Sequence, residues 1–253
     1  MLTSKIRTAL LALVALTVVG MAATPRDTLA QKPMLAPLTG AEGAAPPAPW
    51  RAVGLPRNKA PLAQMDTTSI DGVRALRLKT EASYGTLVHE LAGGVPGNEA
   101  TIKWRWRLDQ PVANADLRKK EGDDAALKVC VMFDLPLDQV PFGERTLLRL
   151  ARSLSSELLP AATICYISDQ KLATGTTLPN IYTRRVRSII TDGQGSPLAQ
   201  WRTHERRVGD DFLKLFGDES KVVPPVVAIV IGADSDNTGG SSLAYIADLA
   251  FNP

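Results

Sequence analysis

The chain has 253 residues, 45% apolar and 22% charged, with 29 Lys and Arg against 26 Asp and Glu, two cysteines and two histidines. That composition is globular; it excludes a strongly basic nucleic-acid binder, and His89 and His204 lack any partner at metal-ligand spacing. Without the first thirty residues, 26 basic residues face 25 acidic ones, so part of the apparent basicity belongs to the N-terminus alone.

The N-terminus, residues 1–30, reads as a secretory signal peptide. Lys5 and Arg7 precede an apolar stretch over residues 9–19, and small residues follow, with cleavage expected after Ala22 or Ala30. The apolar stretch is shorter than the roughly 20 residues a spanning helix needs, and no Cys near the cleavage site offers a lipid anchor. The expected destination is periplasmic or secreted, with no transmembrane segment after cleavage. Residues 31–49, rich in Pro, Ala and Gly, are expected to form a linker or extended arm, and residues 50–253 a single domain.

Along that domain, apolar residues alternate with polar ones at period two. Strands are expected over 73–79, 84–91 (ended by Gly93-Gly94), 101–108, 127–133, 163–167, 182–191, 201–208, 226–231 and 243–251. The clearest is 101–108, where Ile102, Trp104, Trp106 and Leu108 share one face and Lys103, Arg105 and Arg107 the other. Helical spacing appears over 144–159, closed by Pro160, and over 210–217, closed by Gly217. Many strands with one or two short connecting helices predict an all-β fold, an antiparallel β-sandwich of jelly-roll type.

Cys130 and Cys165 each sit in a β-prone run. Export favours a disulfide between neighbouring strands; two buried free thiols are the alternative.

Three constellations can carry chemistry. Arg105 and Arg107, joined by Lys128, Arg185 and Arg187 if their strands are neighbours, would make a cationic sheet face suited to carboxylate, phosphate or sulfate; a solvated face balanced by acids is the competing reading. Asp123 and Asp124 follow Gly122 and suit ion binding, acid–base work or turn capping. The loop Asp234-Ser-Asp236-Asn237-Thr238-Gly-Gly sets oxygens at a spacing suited to Ca²⁺, with Asp234, Asp236 and Asn237 as ligands, although Asx and Ser/Thr turns explain the same letters. No other cofactor signature is present, and no P-loop, Gly-x-Ser-x-Gly or His-Glu-x-x-His occurs.

As an ordered set, several motifs resemble a bacterial family of unknown function, domain of unknown function 3047. They are Trp104-x-Trp106, Gly122-Asp123-Asp124, Val131-Met-Phe-Asp134, Tyr166, Pro179-Asn180-x-Tyr182-Thr, Trp201, Arg206-Arg207-Val with Asp210-Asp211-Phe, Phe216-Gly217, Asp234-x-Asp236-Asn237-Thr238 and Tyr245-x-x-Asp248. The likeness spans residues 50–251 and implies export. It does not require the two cysteines. The closing Tyr-x-x-Asp strand is also similar to galactose-binding-like jelly rolls and carbohydrate-binding modules, a likeness of fold rather than of function.

The expected function is binding of a glycan or other anionic, polyhydroxylated envelope ligand through Arg105, Arg107, Asp123, Asp124, Tyr182, Arg185, Asp236, Asn237 and Asp248, with Tyr182 or Tyr245 stacking on a sugar ring. One alternative is a glycan-cleaving hydrolase or lyase, pairing Asp123 or Asp124 with Asp236 or Asp248. Another is a structural partner docked through the Pro-rich arm.

Overall fold

The computed structural model describes residues 34–155, 157 and 159–253. The expected signal peptide, residues 1–30, lies outside them. Twelve strands occur in chain order with two α-helices: β1 (Arg51–Val53), β2 (Gln64–Ile70), β3 (Val73–Glu81), β4 (Tyr84–Val95), β5 (Thr101–Gln110), β6 (Lys128–Phe133), α1 (Phe142–Leu154), β7 (Ala162–Ser168), β8 (Thr177–Pro179), β9 (Val186–Asp192), β10 (Arg202–Arg207), α2 (Val208–Phe216), β11 (Val226–Asp234) and β12 (Ser241–Asn252). Among the described residues no helix is long and apolar enough to cross a membrane.

The strands build a two-sheet jelly roll. A seven-stranded sheet runs β1-β4-β11-β6-β7-β9-β8 and a five-stranded sheet β10-β5-β12-β3-β2. Consecutive strands repeatedly change sheet (β3 to β4, β4 to β5, β11 to β12), so apolar residues at every second position of both sheets meet between them. Trp104, Trp106 and Ile102 of β5 are buried there, against Tyr166 of β7 and Phe212 and Phe216 of α2. All pairings are antiparallel except β7 with β9.

The sequence pattern locates most of these elements, with differences. β4 continues through Gly93 and Gly94, both at positive φ, to Val95, because the two glycines relieve a local bend without breaking the ladder. β9 starts at Val186, leaving 182–185 in a turn, and α1 ends at Leu154, well before Pro160. β2 goes unseen in the sequence because Asp66 and Thr67 are buried at positions where apolar residues would mark a strand.

Residues 34–49 do not hang free as a linker. Leu35 and Leu38 are buried in the main core. The Ala36 amide donates to His89 Nε2 (3.0 Å), and Trp50 Nε1 donates to the Ala36 carbonyl (3.1 Å). Gly43 donates to the Thr67 carbonyl and Thr67 to the Ala44 carbonyl, both at 2.8 Å. The arm thereby covers β2, an edge strand whose backbone groups would otherwise face water.

Candidate functional site

The outer face of the seven-stranded sheet carries a second apolar cluster instead of a solvated surface. Val88 on β4, Cys130 on β6, Cys165 and Ile167 on β7, Ile190 on β9 and Val230 on β11 are all buried. Cys130 and Cys165 are register partners on adjacent strands and form the disulfide, with Cα atoms 4.1 Å apart. Above this floor lies a cavity of about 510 Å³. Met132, Leu178 and Val186 extend its floor, while Leu148 and Ala151 of α1, with Leu159 and Pro160, close it from one side.

One end of the chamber is polar. Lys128 Nζ lies 2.8 Å from Asp234 Oδ2 and 5.3 Å from the centre of the Tyr84 ring. Asp234 Oδ1 accepts the Ala125 amide at 2.9 Å. Gly232 makes this possible: a Cβ there would sit 2.8 Å from Lys128 Cε and 2.9 Å from Thr86 Cγ2, so only a glycine lets the lysine chain cross β11. Burial works to lower the Lys128 pKa, but the Asp234 carboxylate overcomes it and holds the ammonium above its ordinary value. Burial raises Asp234. Asp123 also lines the chamber, accepts Asn180 Nδ2 at 2.8 Å, and is raised by burial.

Three motifs far apart in sequence knit this end together. Asp124 is buried; its Oδ1 accepts the Asn237 amide (3.1 Å) and its Oδ2 the Thr238 amide (2.7 Å). Asn237 Nδ2 donates to the Asp123 carbonyl at 3.0 Å. Tyr182 donates its hydroxyl to the Lys120 carbonyl (3.0 Å) and Asn237 Oδ1 (3.3 Å), and its own amide donates to Asn180 Oδ1 (3.0 Å). Asp123, Asp124, Tyr182, Asp236 and Asn237, all named from the sequence, therefore lie together at this end.

Other expected members lie elsewhere. Arg105 and Arg107 sit on β5, in the other sheet. Arg105 Nε is 2.5 Å from Asp248 Oδ2, with the guanidinium 5.5 Å from the centre of the Trp201 ring, and Arg107 pairs with Asp109 and Asp71. Arg185 borders the chamber, but its guanidinium is consumed by Glu144 (2.6 Å), Glu219 (2.6 Å) and the Ala161 carbonyl (3.1 Å). Arg187 pairs with Asp218 and Glu219 above the Phe216 ring. The single cationic face does not form, because Arg105 and Arg107 lie on the other sheet from Lys128 and Arg187, Arg185 sits in the turn before β9, and each of the five meets a carboxylate. The chamber residues that sequence reasoning did not select as site residues are Tyr84, which opens an expected strand, Asn180, which appears only within a family motif, and Leu148 and Ala151, whose only trace is the helical spacing over 144–159.

Asp124, Asp234 and Asp236 bring carboxylate oxygens within 4.8 Å of one another, the arrangement a hard cation would use. Backbone amides and Lys128 already occupy four of those oxygens, leaving Asp236 Oδ1 buried without a hydrogen-bond partner. Asn237, expected as a third ligand, instead turns its Nδ2 toward the Asp123 carbonyl and Asp124. The cluster is thus largely satisfied from within the chain.

No curated protein matches the chain in sequence. Among solved structures, the family 11 carbohydrate-binding module from Clostridium thermocellum, in complex with a β-1,3-1,4-mixed-linked tetrasaccharide, is similar at 9% identity with a TM-score of 0.40, over 87% of this chain and 94% of that one. The xyloglucanase domain of NopAA, a type three effector from Sinorhizobium fredii, in complex with cellobiose, is similar at 9% identity with a TM-score of 0.41, over 80% and 92%. The TmCBM61 structure in complex with β-1,4-galactotriose is similar at 10% identity with a TM-score of 0.34, over 81% and 88%. Residues 48–250 match the family described as "Protein of unknown function (DUF3047)", and the chain belongs to that family.

Proposed function

We propose that this protein is an exported binding module that takes an uncharged, polyhydroxylated ligand of the glycan class into the chamber on its seven-stranded sheet. The observation carrying this reading is the chamber itself, a concave space of about 510 Å³ with an apolar floor and a polar end where Lys128, Asp123, Asp234 and Asn180 meet. Such sites pair apolar surface with a few placed polar groups. A sugar offers hydroxyls to acceptors and donors at the polar end and a C–H face to Met132 and the disulfide. An anionic ligand fits less well than the sequence suggested, because carboxylates outnumber the one ammonium at that end and Arg185 is already spoken for. The disulfide in the floor supports a working place outside the cytoplasm.

The test is a thermal-shift panel of neutral and acidic oligosaccharides on the native chain and on Met132→Trp, which fills the chamber from its floor. A neutral oligosaccharide at about 100 times its Kd adds about 2.7 kcal/mol; that shift is expected in the native chain and absent in Met132→Trp. No shift with any neutral sugar, or an equal shift in the variant, overturns the reading.

Cleavage of the ligand is a second reading, favoured by one observation: the raised Asp123 carboxyl faces the chamber, as a general acid would. Asp248 drops out as its counterpart, since it lies on β12 beside Arg105 in the other sheet. Asp124 drops out as well, since both its oxygens are filled by amides.

A further inference from the structure

Among the described residues, α1 presents an exposed apolar face. Leu148 is buried, yet Leu147, Leu150 and Leu154 are 68%, 58% and 80% exposed, and Phe142 in the first turn is 81% exposed. The spacing of the three leucines, three and then four residues, stacks them in one stripe along a helix about 20 Å long. Arg145, Arg149 and Arg152, spaced four and then three, form a second stripe on the opposite side of the helix. Arg145 donates to the carbonyls of Asp138 (2.7 Å) and Val140 (2.9 Å), and Arg152 to that of Leu159 (2.8 Å), contacts that fix the side chains but leave their charge. Arg149 makes no ion pair with a described residue. The one acid of the helix, Glu144, is committed to Arg185 and Arg184.

A helix with exposed leucines along one side and arginines without acidic partners along the other is the chemistry of a helix lying in the interface of an anionic bilayer: the apolar side enters the acyl boundary and the polar side carries the positive charge that the anionic headgroups attract. We infer that α1 docks this protein on an anionic membrane surface. A protein partner would need acids to answer the arginines and a groove to take the leucines; a bilayer supplies both along the whole helix. The same helix closes the chamber through Leu148 and Ala151, so docking sets the chamber wall against the membrane. This inference stands on the exposed face of α1 and does not depend on what the chamber holds.

The test is cosedimentation of the full chain with phosphatidylcholine vesicles, with and without phosphatidylglycerol, together with hydrogen exchange of the amides over residues 142–154. Binding at least tenfold tighter to the phosphatidylglycerol vesicles is expected, with slowed exchange across α1. Leu147→Glu combined with Leu150→Glu should weaken it more than tenfold. Arg149→Ala should weaken it about fivefold, the effect of roughly one surface cation, and added salt should do the same. These side chains are exposed, so melting temperatures should not move. Equal binding by native and variant chains, or unchanged exchange over 142–154, overturns the inference. So does a change of oligomeric state in the leucine variant without vesicle binding, which would assign the face to a second copy of the chain. If the leucine variant fails to fold, Arg149→Ala and the exchange of the native chain decide alone.

Discussion

At the scale of single residues, the charged groups of this protein fall into two sets with different work. Asp192, 3% exposed, ties three elements of the sandwich: it accepts Trp106 Nε1 at 2.5 Å and Arg202 Nε at 2.7 Å, and lies 3.1 Å from His204 Nε2. Tyr166, Arg206 and Asp211 form a similar knot nearby, with Tyr166 donating to Asp211 at 2.8 Å. Burial alone would raise Asp192, but the His204 and Trp106 hydrogen bonds hold it below its ordinary value. A depressed carboxylate contributes stability above its unfolded pKa of 3.8, lost as pH falls through the lower folded value. Asp192→Asn should therefore cost about 3 kcal/mol near neutrality, since it sets an amide against buried donors, and should flatten the acid limb of a urea-denaturation series measured against pH. A native-like acid limb in the variant would show that the knot is not where acid acts. The face of Trp104 and Trp106 was readable from alternation alone. The fate of Arg105 and Arg107 was not, because their partners Asp248 and Asp71 arrive from other strands and a hairpin, and period-two patterning carries no information about them.

At the scale of elements, the alternation located nine of the twelve strands, and it placed their faces better than their ends. It missed β1, β2 and β8, which are short or carry buried polar residues. It also could not say which strands share a sheet. That depends on order (β11 between β4 and β6, β12 between β5 and β3) and is set by packing across the whole sandwich. The chamber is likewise invisible locally, because its floor comes from six strands and part of its wall from α1. The disulfide is the clearest gain: two apolar runs predicted neighbouring strands, and Cys130 and Cys165 are register partners. The bridge closes a loop with a sequence separation of 35, for which chain entropy gives about 3.8 kcal/mol. Cys130→Ala with Cys165→Ala should lose about that much in urea unfolding at equal m-value; an unchanged midpoint would mean that the floor is held by packing alone.

At the scale of the whole molecule, the arm over residues 34–49 acts as part of the fold. Its latch is His89, whose Nε2 accepts the Ala36 amide while Nδ1 faces the Glu90 carbonyl at 3.1 Å, a pattern that requires the neutral ring. Burial lowers the His89 pKa below 6.5. The stability of the neutral latch is thus complete above that value and declines as pH falls beneath it, where the unfolded chain takes up a proton that the fold refuses. Limited proteolysis should cut residues 34–49 faster at pH 5 than at pH 7.5, and His89→Gln, which keeps a side-chain acceptor without a titrating ring, should lose that dependence. Equal cutting rates in the native chain at both pH values would contradict the latch. Composition showed a Pro-rich stretch here and nothing of its docking, because two leucines and a few backbone bonds suffice to hold it. The Lys128–Asp234 pair has a consequence at this same scale. A lysine is wired into the chain and stays positive at every physiological pH, so the polar end of the chamber carries a permanent counterion of its own. That charge is fixed as the chain folds, because the lysine and its carboxylate arrive on the adjoining strands β6 and β11.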